Sequence, residues 1–454
     1  MTTLIPGTIQ IALEKARIAQ AAFECYNQEQ VDAIVKAIAK TVYDNAESLA
    51  KLALDETGMG VYEDKVAKNK GKSQVIWQHL KNKKSVGIID RNEQTGIISI
   101  AKPMGVVGSV TPVTNPTVTP MSNAMFALKG RNAIIVAPHP KAKQASTKAV
   151  ELINESIRAL GAPENLIQIL DVCSTELTIA LMQAVDVVVA TGGGAMVKSA
   201  YSSGKPAYGV GPGNVQVILD RGIDFDDAAK KIVLGRKFDN GIICSGEQAV
   251  IFHEDDRDAV IKALVENGAY YVTNPADADA LRATVFKEGH LNKDVVGQSV
   301  AKIADMAGVK VTGDAKVIFI PSTGAPDDVL RYEKMCPVIT SFTYKNLDEA
   351  IAIANFNLSL EGKGHSCAVH SVNQENIEAI ALGVYTSRVV VNQPSSLSAG
   401  GSYYNGFAPT TTLGCGSWGN NSISENLDYK HLINIQRIGM PINFTPPSYD
   451  ELWS

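Results

Sequence analysis

A cysteine between two glycines has the surroundings in this sequence that best suit covalent catalysis. Cys244 lies in the segment Phe238–Gln248, where Gly241 and Gly246 would let the backbone approach a ligand closely. If a helical turn begins at Ser245, its backbone N–H groups would lower the pKa of the thiol and make it nucleophilic. The alternative is a small core residue, which is the usual role of a free cysteine.

Two glycine-rich turns are candidates for binding a phosphate. Gly192, Gly193 and Gly194 follow a predicted strand and open a predicted helix, where backbone N–H groups favour an anion. The second turn, Gly209–Asn214, contains Gly211 and could also be merely a tight connection. Neither turn has the GxGxxG fingerprint. The sequence therefore predicts a nucleotide-type sheet without the standard signature.

The composition excludes several classes of protein. The 42 Lys and Arg and 47 Asp and Glu of the 454 residues give a net charge of −5, spread along the chain, which argues against a nucleic-acid surface. We find no apolar run long enough to cross a bilayer and no secretory pattern in Met1–Gly7. The six cysteines form no CxxC pair, so we expect no disulfide framework, no metal site and a cytoplasmic location.

The elements that would position these residues begin with an alternating α/β series. The predicted strands are Val106–Val110, Ala133–Ala137, Leu166–Leu170, Asp186–Ala190 and Val215–Leu219. The predicted helices between them are Thr119–Leu128, Lys143–Leu160, Thr175–Met182 and Met196–Ser203. Val/Ile runs separated by helices favour a parallel sheet covered on both faces. Ligands of such sheets bind beyond the carboxyl ends of the strands, where Thr111–Pro116 and Pro138–Lys141 lie.

A second α/β unit is predicted after about Asn240. Its strands include Gln248–Phe252, Val317–Phe319, Val338–Phe342, Cys367–His370 and Val389–Asn392. The following segment, Ser398–Trp418, is rich in Gly, Ser, Thr and aromatic residues and is predicted to shape a site or an interface. We therefore expect a cofactor-binding domain at 1–239 and a catalytic domain at 240–420. Residues 421–454 would return to the cofactor domain or to a neighbouring subunit.

The first hundred residues are predicted to be helices followed by a hairpin. Helical spacing of apolar residues in Ile9–Phe23 and Val31–Leu54 predicts helices that pack on the body of the protein, with partner docking or targeting as the alternative. Ser85–Ile89 and Gly96–Ile100, joined by the polar turn Asp90–Thr95, predict an oligomerisation hairpin at about 85–101. We expect a homodimer or larger homo-oligomer.

Three motifs, in order along the chain, resemble those of the aldehyde dehydrogenase superfamily from about residue 9 onward. Asn115 stands where the superfamily has its oxyanion asparagine, and Cys244 where it has its thiol nucleophile. Glu333, in Glu333–Val338, stands in place of the glutamate that binds the cofactor ribose. The resemblance implies a Rossmann-like cofactor domain and a second α/β catalytic domain. The expected cofactor-binding residues are Thr111, Pro112, His139, Lys141, Gly192, Gly193, Gly211 and Glu333.

Two departures indicate the CoA-acylating members of the superfamily. Hydrolytic members carry a water-activating glutamate, but the corresponding stretch, Val210–Asn214, has no carboxylate. Four further segments resemble the acylating group: Pro138–Lys141, Tyr201–Pro206, Asp239–Cys244 and Leu413–Asn426. Within that group, Glu56–Lys68 and Val391–Pro394 most resemble the CoA-dependent succinate-semialdehyde dehydrogenases of anaerobic bacteria.

This resemblance implies the reversible NAD(P)-dependent reduction of succinyl-CoA to succinate semialdehyde and CoA through a thioester on Cys244. His365 is a candidate acid/base or CoA-contacting group, or else a structural histidine. Rival readings are an acetyl-CoA or other short-chain acyl-CoA substrate, a hydrolytic aldehyde dehydrogenase, and a non-catalytic assembly protein.

Two specificity determinants are predicted from charge. His139, Lys141 and Lys143 follow the second strand without an acidic residue among them, which favours NADP over NAD unless the lysines are merely solvated. A succinyl carboxylate needs a cation or several donors. Arg388 is the candidate cation, helped by the hydroxyl groups of Ser245 and Ser396, with bracing of its loop as the alternative role.

Overall fold

The computed structural model describes residues 6–454; residues 1–5, most of the segment considered for a secretory signal, lie outside the described residues. The helices are α1 (Gly7–Phe23), α2 (Gln28–Asp44), α3 (Ala46–Thr57), α4 (Tyr62–Leu80), α5 (Val118–Lys129), α6 (Lys143–Arg158), α7 (Thr175–Ala184), α8 (Gly194–Tyr201), α9 (Phe225–Lys237), α10 (Arg257–Glu266), α11 (Pro275–Val285), α12 (Val300–Ala307), α13 (Leu347–Leu360), α14 (Gln374–Gly383), α15 (Ser395–Ser398) and α16 (Tyr449–Trp453).

The strands are β1 (Gly87–Asn92), β2 (Ile97–Pro103), β3 (Val106–Val110), β4 (Ala133–Ala137), β5 (Ile167–Ile169), β6 (Val187–Thr191), β7 (Ala207–Val210), β8 (Val215–Leu219), β9 (Glu247–His253), β10 (Ala269–Tyr271), β11 (Phe286–Lys287), β12 (His290–Leu291), β13 (Val317–Pro321), β14 (Val338–Tyr344), β15 (Cys367–His370), β16 (Val389–Val391) and β17 (Ile433–Gly439).

The first sheet has five parallel strands in the order β5-β4-β3-β6-β7. Its central strands β3 and β4 are buried along their whole length, as continuous apolar runs require. Helices α1 and α7 pack together against the sheet, and α5 and α6 form a second packed pair on it. The predicted α/β fold with a parallel sheet is confirmed. The strand order reverses between β3 and β6, which is where ligands bind in sheets of this kind.

The second sheet has seven parallel strands in the order β10-β13-β14-β9-β8-β15-β16. It contains β8 (Val215–Leu219), so the prediction that this strand completes the first sheet is wrong. An apolar run reports burial but not the identity of its neighbours, and β8 pairs with β9 and β15. The edge strand of the first sheet is instead β7, whose short sequence Ala-Tyr-Gly-Val has no Val/Ile run.

The connection between the two sheets brings their edges together. The chain leaves the carboxyl end of β7 at Val210 and enters the amino end of β8 at Val215. The carboxyl edge of the first sheet therefore adjoins the amino edge of the second. Residues that follow β3, β4 and β6 can meet residues that precede β9, β14, β15 and β16.

A third sheet joins the predicted hairpin to the C-terminal segment. Strands β1 and β2 form the hairpin. Strand β17 pairs antiparallel with β2, with Ile433 opposite Pro103 at one end and Gly439 opposite Ile97 at the other. The C-terminal segment thus adds a third strand to the hairpin of its own chain. No helix within residues 6–454 is both long enough and apolar enough to cross a membrane.

Candidate active site

Cys244 lies in a tight turn at the amino end of a central strand of the second sheet. Asp239 and Asn240 both have a φ of 51°, and Gly241 has a φ of 69°. The amide of Gly246 then donates to the carbonyl of Ile243 at 2.8 Å, and β9 begins at Glu247. The helical turn considered at Ser245 is therefore wrong, because the residues that follow it belong to a buried parallel strand rather than to a helix.

The surroundings of Cys244 favour the protonated thiol over the thiolate. Burial raises its pKa to about 12, with further contributions from the carboxylate of Glu333 and the thiol of Cys415. Arg388 and the backbone N–H of Cys244 itself act in the opposite direction. The expected activation by helix N–H groups does not occur, so attack by the sulfur must be coupled to loss of its proton.

A cavity of about 360 Å³ opens onto Cys244. Its walls come from α4, from the loop after β3, from the turn that carries Cys244, and from the loop that follows α15. Ser245 and Ser396 are among its lining residues, and several residues between 400 and 413 form one side. The segment Ser398–Trp418 thus shapes the cavity, as its composition predicts.

Asn115 lines the same cavity and lies in the loop that leads from β3 into α5, three residues before the helix begins. Its side-chain oxygen Oδ1 is buried and, within residues 6–454, has no hydrogen-bond partner. The carbonyl of Asn115 accepts the amide of Thr119 at 3.1 Å, which fixes the loop to the first turn of α5. The structure therefore brings Asn115 and Cys244 to one cavity although 128 other residues separate them in the sequence.

Lys72 is a residue of this cavity that was not predicted from the sequence. It lies on α4 and lines the cavity with Cys244, and its Nζ donates to the carbonyl of Gly400 at 2.7 Å. Burial lowers the pKa of Lys72 to about 8, and a Cys244 thiolate raises it. A spacing signal existed, because Lys65, Lys68 and Lys72 are three and four residues apart and so share one face of a helix.

His365 and Glu333 gather beside Gly213 at the amino edge of the second sheet. A β-carbon at Gly213 would lie 1.9 Å from the carbonyl oxygen of Cys244 and 3.3 Å from Cε1 of His365. The amide of Gly213 donates to Oε1 of Glu333 at 3.1 Å. Burial, with a smaller contribution from Glu361, raises the pKa of Glu333 to about 8.

His365 itself is completely buried. Its Nδ1 lies 3.1 Å from Oγ of Ser366, while its Nε2 has no hydrogen-bond partner among the described residues. Burial, together with the nearby charge of Arg388, lowers the pKa of His365 to about 3. The imidazole is therefore neutral at ordinary pH, with one free ring nitrogen next to the nucleophile turn.

Arg388 does not reach the cavity. Its side chain is buried, and its guanidinium donates to Ser366 Oγ at 3.2 Å, to Asn426 Oδ1 at 3.2 Å and to the carbonyl of His365 at 2.6 Å. These contacts brace the loops before β15 and after residue 413. This arrangement favours the bracing role over the expected contact with the acyl carboxylate, since the guanidinium donates to protein acceptors and the residues that line the Cys244 cavity do not include Arg388.

The carboxyl edge of the first sheet collects the residues expected to bind a cofactor. Thr111 and Pro112 follow β3, Gly192 and Gly193 follow β6, and Gly211 follows β7. The amide of Gly192 donates to the carbonyl of Val210 at 3.3 Å, which holds the ends of β6 and β7 together. Helix α8 begins at Gly194 without a side-chain cap, and a β-carbon at Gly193 would meet nothing within 4 Å. The open glycine backbone and uncapped amides fit a dinucleotide pyrophosphate.

The loop after β4 carries the basic residues of this edge. His139 caps a short helical turn by accepting the amide of Lys141 at 3.1 Å, and the side chain of Lys141 is exposed. The first amides of α6, from Gln144 and Ala145, both donate to the carboxylate of Glu56 at 2.8 Å. These helix amides are therefore occupied, and Lys141 remains as a free cation on the loop.

Comparison with known proteins gives a consistent result. The profile of the aldehyde dehydrogenase family matches residues 6–432. A protein of Clostridium kluyveri described as succinate-semialdehyde dehydrogenase (acetylating) is 56% identical over 98% of this chain and 99% of its own length.

Solved structures agree with this match. An acetylating aldehyde dehydrogenase from Geobacillus thermoglucosidasius has a TM-score of 0.93 at 35% identity, covering 99% of this chain and 100% of its own. A propionaldehyde dehydrogenase from Rhodopseudomonas palustris, with bound CoA and an acylated cysteine, has a TM-score of 0.84 at 30% identity and covers 95% of this chain and 97% of its own.

Proposed function

The chain belongs to the aldehyde dehydrogenase family, and we propose that it catalyses the reversible NAD(P)-dependent reduction of succinyl-CoA to succinate semialdehyde and CoA. One observation carries this proposal. Among the described residues, those that line the Cys244 cavity include a thiol, a carboxamide, hydroxyl groups and lysines, but no aspartate or glutamate. A cavity without a carboxylate can form a thioester but has no base of that kind to activate water, which suits acyl transfer to a thiol.

The residues of the cavity divide the chemistry between them. The sulfur of Cys244 attacks the thioester carbon of succinyl-CoA, and the side-chain amide of Asn115 with the backbone N–H of Cys244 stabilises the tetrahedral oxyanion. CoA leaves as its thiol and the acyl group remains on Cys244. A nicotinamide cofactor, when bound, would supply a hydride to the acyl carbon. The resulting thiohemiacetal on Cys244 then breaks its carbon–sulfur bond, which releases the aldehyde and returns the Cys244 sulfur. All of these steps reverse when the aldehyde is oxidised.

The proton of Cys244 must leave as the sulfur attacks, because its pKa is raised to about 12. His365 is the group considered for this transfer, since its Nε2 is without a partner in the described part of the chain and its Cε1 lies beside the contact between Gly213 and Cys244. We assign His365 the acid/base role beside the nucleophile. Glu333, held by the amide of Gly213, is assigned to the cofactor ribose.

Lys72 is proposed as the cation that recognises the succinyl carboxylate. Lys72 lines the cavity together with Ser245 and Ser396, and its ammonium donates one hydrogen bond to Gly400, which leaves N–H groups for a ligand. A carboxylate in a largely apolar cavity needs such a partner. Lys72 thus takes the role first considered for Arg388, and its presence favours an anionic acyl group over acetyl.

NADP is proposed as the preferred dinucleotide. Lys141 is an exposed cation at the carboxyl edge of the first sheet, close to where the ribose of a dinucleotide lies in sheets of this type. The carboxylate of Glu56 accepts hydrogen bonds from the first amides of α6. The adjoining Lys143 adds positive charge, which suits a 2′-phosphate.

A homo-oligomer is proposed to form through the three-stranded sheet. The outer strand β17 leaves Ile435 and Ile438 exposed, and β1 leaves Ile88 exposed. Beyond β17 the chain presents further exposed apolar side chains: Met440, Ile442, Phe444, Tyr449, Leu452 and Trp453. Apolar surface of this extent is typical of a protein–protein interface. We propose a cytoplasmic location, because a catalytic thiol needs a reducing compartment.

The test of the proposed function measures CoA dependence and acyl preference together. Purified protein is assayed for NADPH oxidation with succinyl-CoA and with acetyl-CoA, and for aldehyde oxidation with and without CoA. We expect turnover with succinyl-CoA to exceed that with acetyl-CoA, and oxidation of succinate semialdehyde to require CoA. Equal or better activity with acetyl-CoA would support the short-chain alternative, and full oxidation without CoA would establish a hydrolytic enzyme.

A further inference from the structure

A buried carboxylate joins helix α4 to the turn that carries Cys244. The side chain of Asp239 has no exposed surface, and its carboxylate accepts the amide of Val61 at 2.8 Å. It also accepts hydrogen bonds from Nζ of Lys65 at 3.2 Å and from Nζ of Lys68 at 2.5 Å. Burial raises the pKa of Asp239, but the two ammonium groups outweigh burial and hold it below its usual value.

The segment Gly60–Lys68 is built around this carboxylate. Gly60 has a φ of +88°, and a β-carbon there would lie 2.0 Å from Oδ1 of Asp239, so only glycine fits. The carboxylate of Asp64 accepts the amide of Asp239 at 2.8 Å, which holds the left-handed backbone of the turn. The segment Gly60–Lys68 therefore stabilises the turn that leads to Cys244, although most of its residues do not line the Cys244 cavity.

Lys68 makes a second contact that Lys65 does not share. Its Nζ donates to the carbonyl of Thr114 at 3.3 Å, immediately before Asn115. One ammonium group therefore binds both the turn that leads to Cys244 and the loop that carries Asn115. Lys68 also lines the cavity, but its ammonium is held by two protein acceptors, Asp239 and Thr114.

We propose that Lys68 is a positioning residue that sets the separation between the Cys244 sulfur and the Asn115 amide. This inference rests on the proposed function, in which the Asn115 amide stabilises the oxyanion that forms when the Cys244 sulfur attacks. Oxyanion stabilisation needs donors placed 2.7–3.1 Å from the developing charge. A displacement of about 1 Å in such an arrangement costs about 10²-fold in rate. A bridge across the two loops is a direct way to hold that spacing.

The experiment compares two reactions of the same sulfur. Acyl transfer is measured as release of CoA from succinyl-CoA in a single turnover without reduced cofactor. Alkylation of Cys244 by iodoacetamide uses the same nucleophile but forms no oxyanion. The proteins are wild type, Lys68→Met, Asn115→Ala, the double variant of these, and Lys65→Met. Lys65→Met removes an ammonium from the same carboxylate but leaves the contact with Thr114.

Lys68→Met is expected to slow CoA release by about 10²-fold while alkylation changes by less than about 3-fold. Adding Lys68→Met to Asn115→Ala should cost little more, because the two changes remove one function. Lys65→Met should slow CoA release by less than about 10-fold. If Lys68→Met does not fold, Lys68→Arg, which keeps a cation on Asp239, enters the same cycle.

Three results would overturn the positioning role: additive losses in the double variant, equal losses of acyl transfer and alkylation, or an equal loss in Lys65→Met. Each would show that Lys68 supports the fold or the thiol alone. Failure of the proposed function is distinguishable, because wild type itself would then release no CoA from succinyl-CoA.

Discussion

A β-carbon at Gly213 would lie 1.9 Å from the carbonyl oxygen of Cys244. The turn between the two sheets therefore runs directly against the backbone of the proposed nucleophile, and the amide of the same glycine donates to Glu333. This contact couples the connection between the sheets to the position of the sulfur.

Gly213→Ala should reduce succinyl-CoA reduction by at least about 10²-fold, because the new methyl group must push the Cys244 backbone aside. The measurement is kcat, with the melting temperature recorded for each variant. Gly406→Ala is the control, since a β-carbon at Gly406 meets nothing within 4 Å. Full activity of Gly213→Ala would mean that the turn moves freely and does not set the position of Cys244.

Lys72→Met should separate substrates by charge. A charge-assisted hydrogen bond to a buried carboxylate contributes about 1.5–3 kcal/mol, or roughly 10- to 100-fold in kcat/KM. We expect that loss for oxidation of succinate semialdehyde and little change for butyraldehyde, the uncharged four-carbon aldehyde. Arg388→Ala is the contrast, because a bracing arginine should affect both aldehydes equally. Equal losses of kcat/KM for the two aldehydes in Lys72→Met would show that Lys72 does not recognise the substrate carboxylate.

The pH dependence of this preference follows from the lowered pKa of Lys72. Its pKa is about 8, so the ammonium is present below that pH and is lost as the pH rises above it. The ratio of kcat/KM for succinate semialdehyde to that for butyraldehyde should therefore fall above a pH of about 8. The ratio does not depend on the ionisation of Cys244, because both substrates react with the same thiol. In Lys72→Met the ratio should be low and independent of pH.

Lys141→Ala should weaken NADPH selectively. An exposed lysine on a 2′-phosphate is expected to contribute about 10-fold to kcat/KM, and NADH has no such phosphate to lose. Steady-state kinetics with both cofactors give the answer. Wild type that uses NADH as well as NADPH, or a variant equally impaired with both, would contradict the assignment of Lys141.

The local signals of the sequence were sufficient for most of the architecture. Buried Val/Ile runs identified strands such as β3, β4 and β6, because burial on both faces of a sheet leaves a continuous apolar pattern. The order of the motifs also predicted that Asn115 and Cys244 belong to one active site, and both residues line one cavity. The parallel α/β fold followed from the alternation of these runs with helices.

What the sequence could not provide depends on contacts between distant segments. Sheet membership of β8 is decided by pairing with β9 and β15, which no local pattern encodes. Arg388 is held by Asn426 and His365, whereas Lys72 lines the cavity, and no local pattern distinguishes these two environments. The raised pKa of Cys244 likewise arises from burial, which a turn-like sequence does not reveal.

The covalent intermediate tests the central claim most directly. Wild type and Cys244→Ser are incubated with succinyl-CoA in the absence of cofactor, digested, and examined by peptide mass spectrometry. We expect a succinyl thioester on the peptide that contains Cys244, one CoA released per acylated site, and neither product from Cys244→Ser. Acylation of a different cysteine, or equal CoA release by Cys244→Ser, would contradict the assignment of Cys244 as the nucleophile.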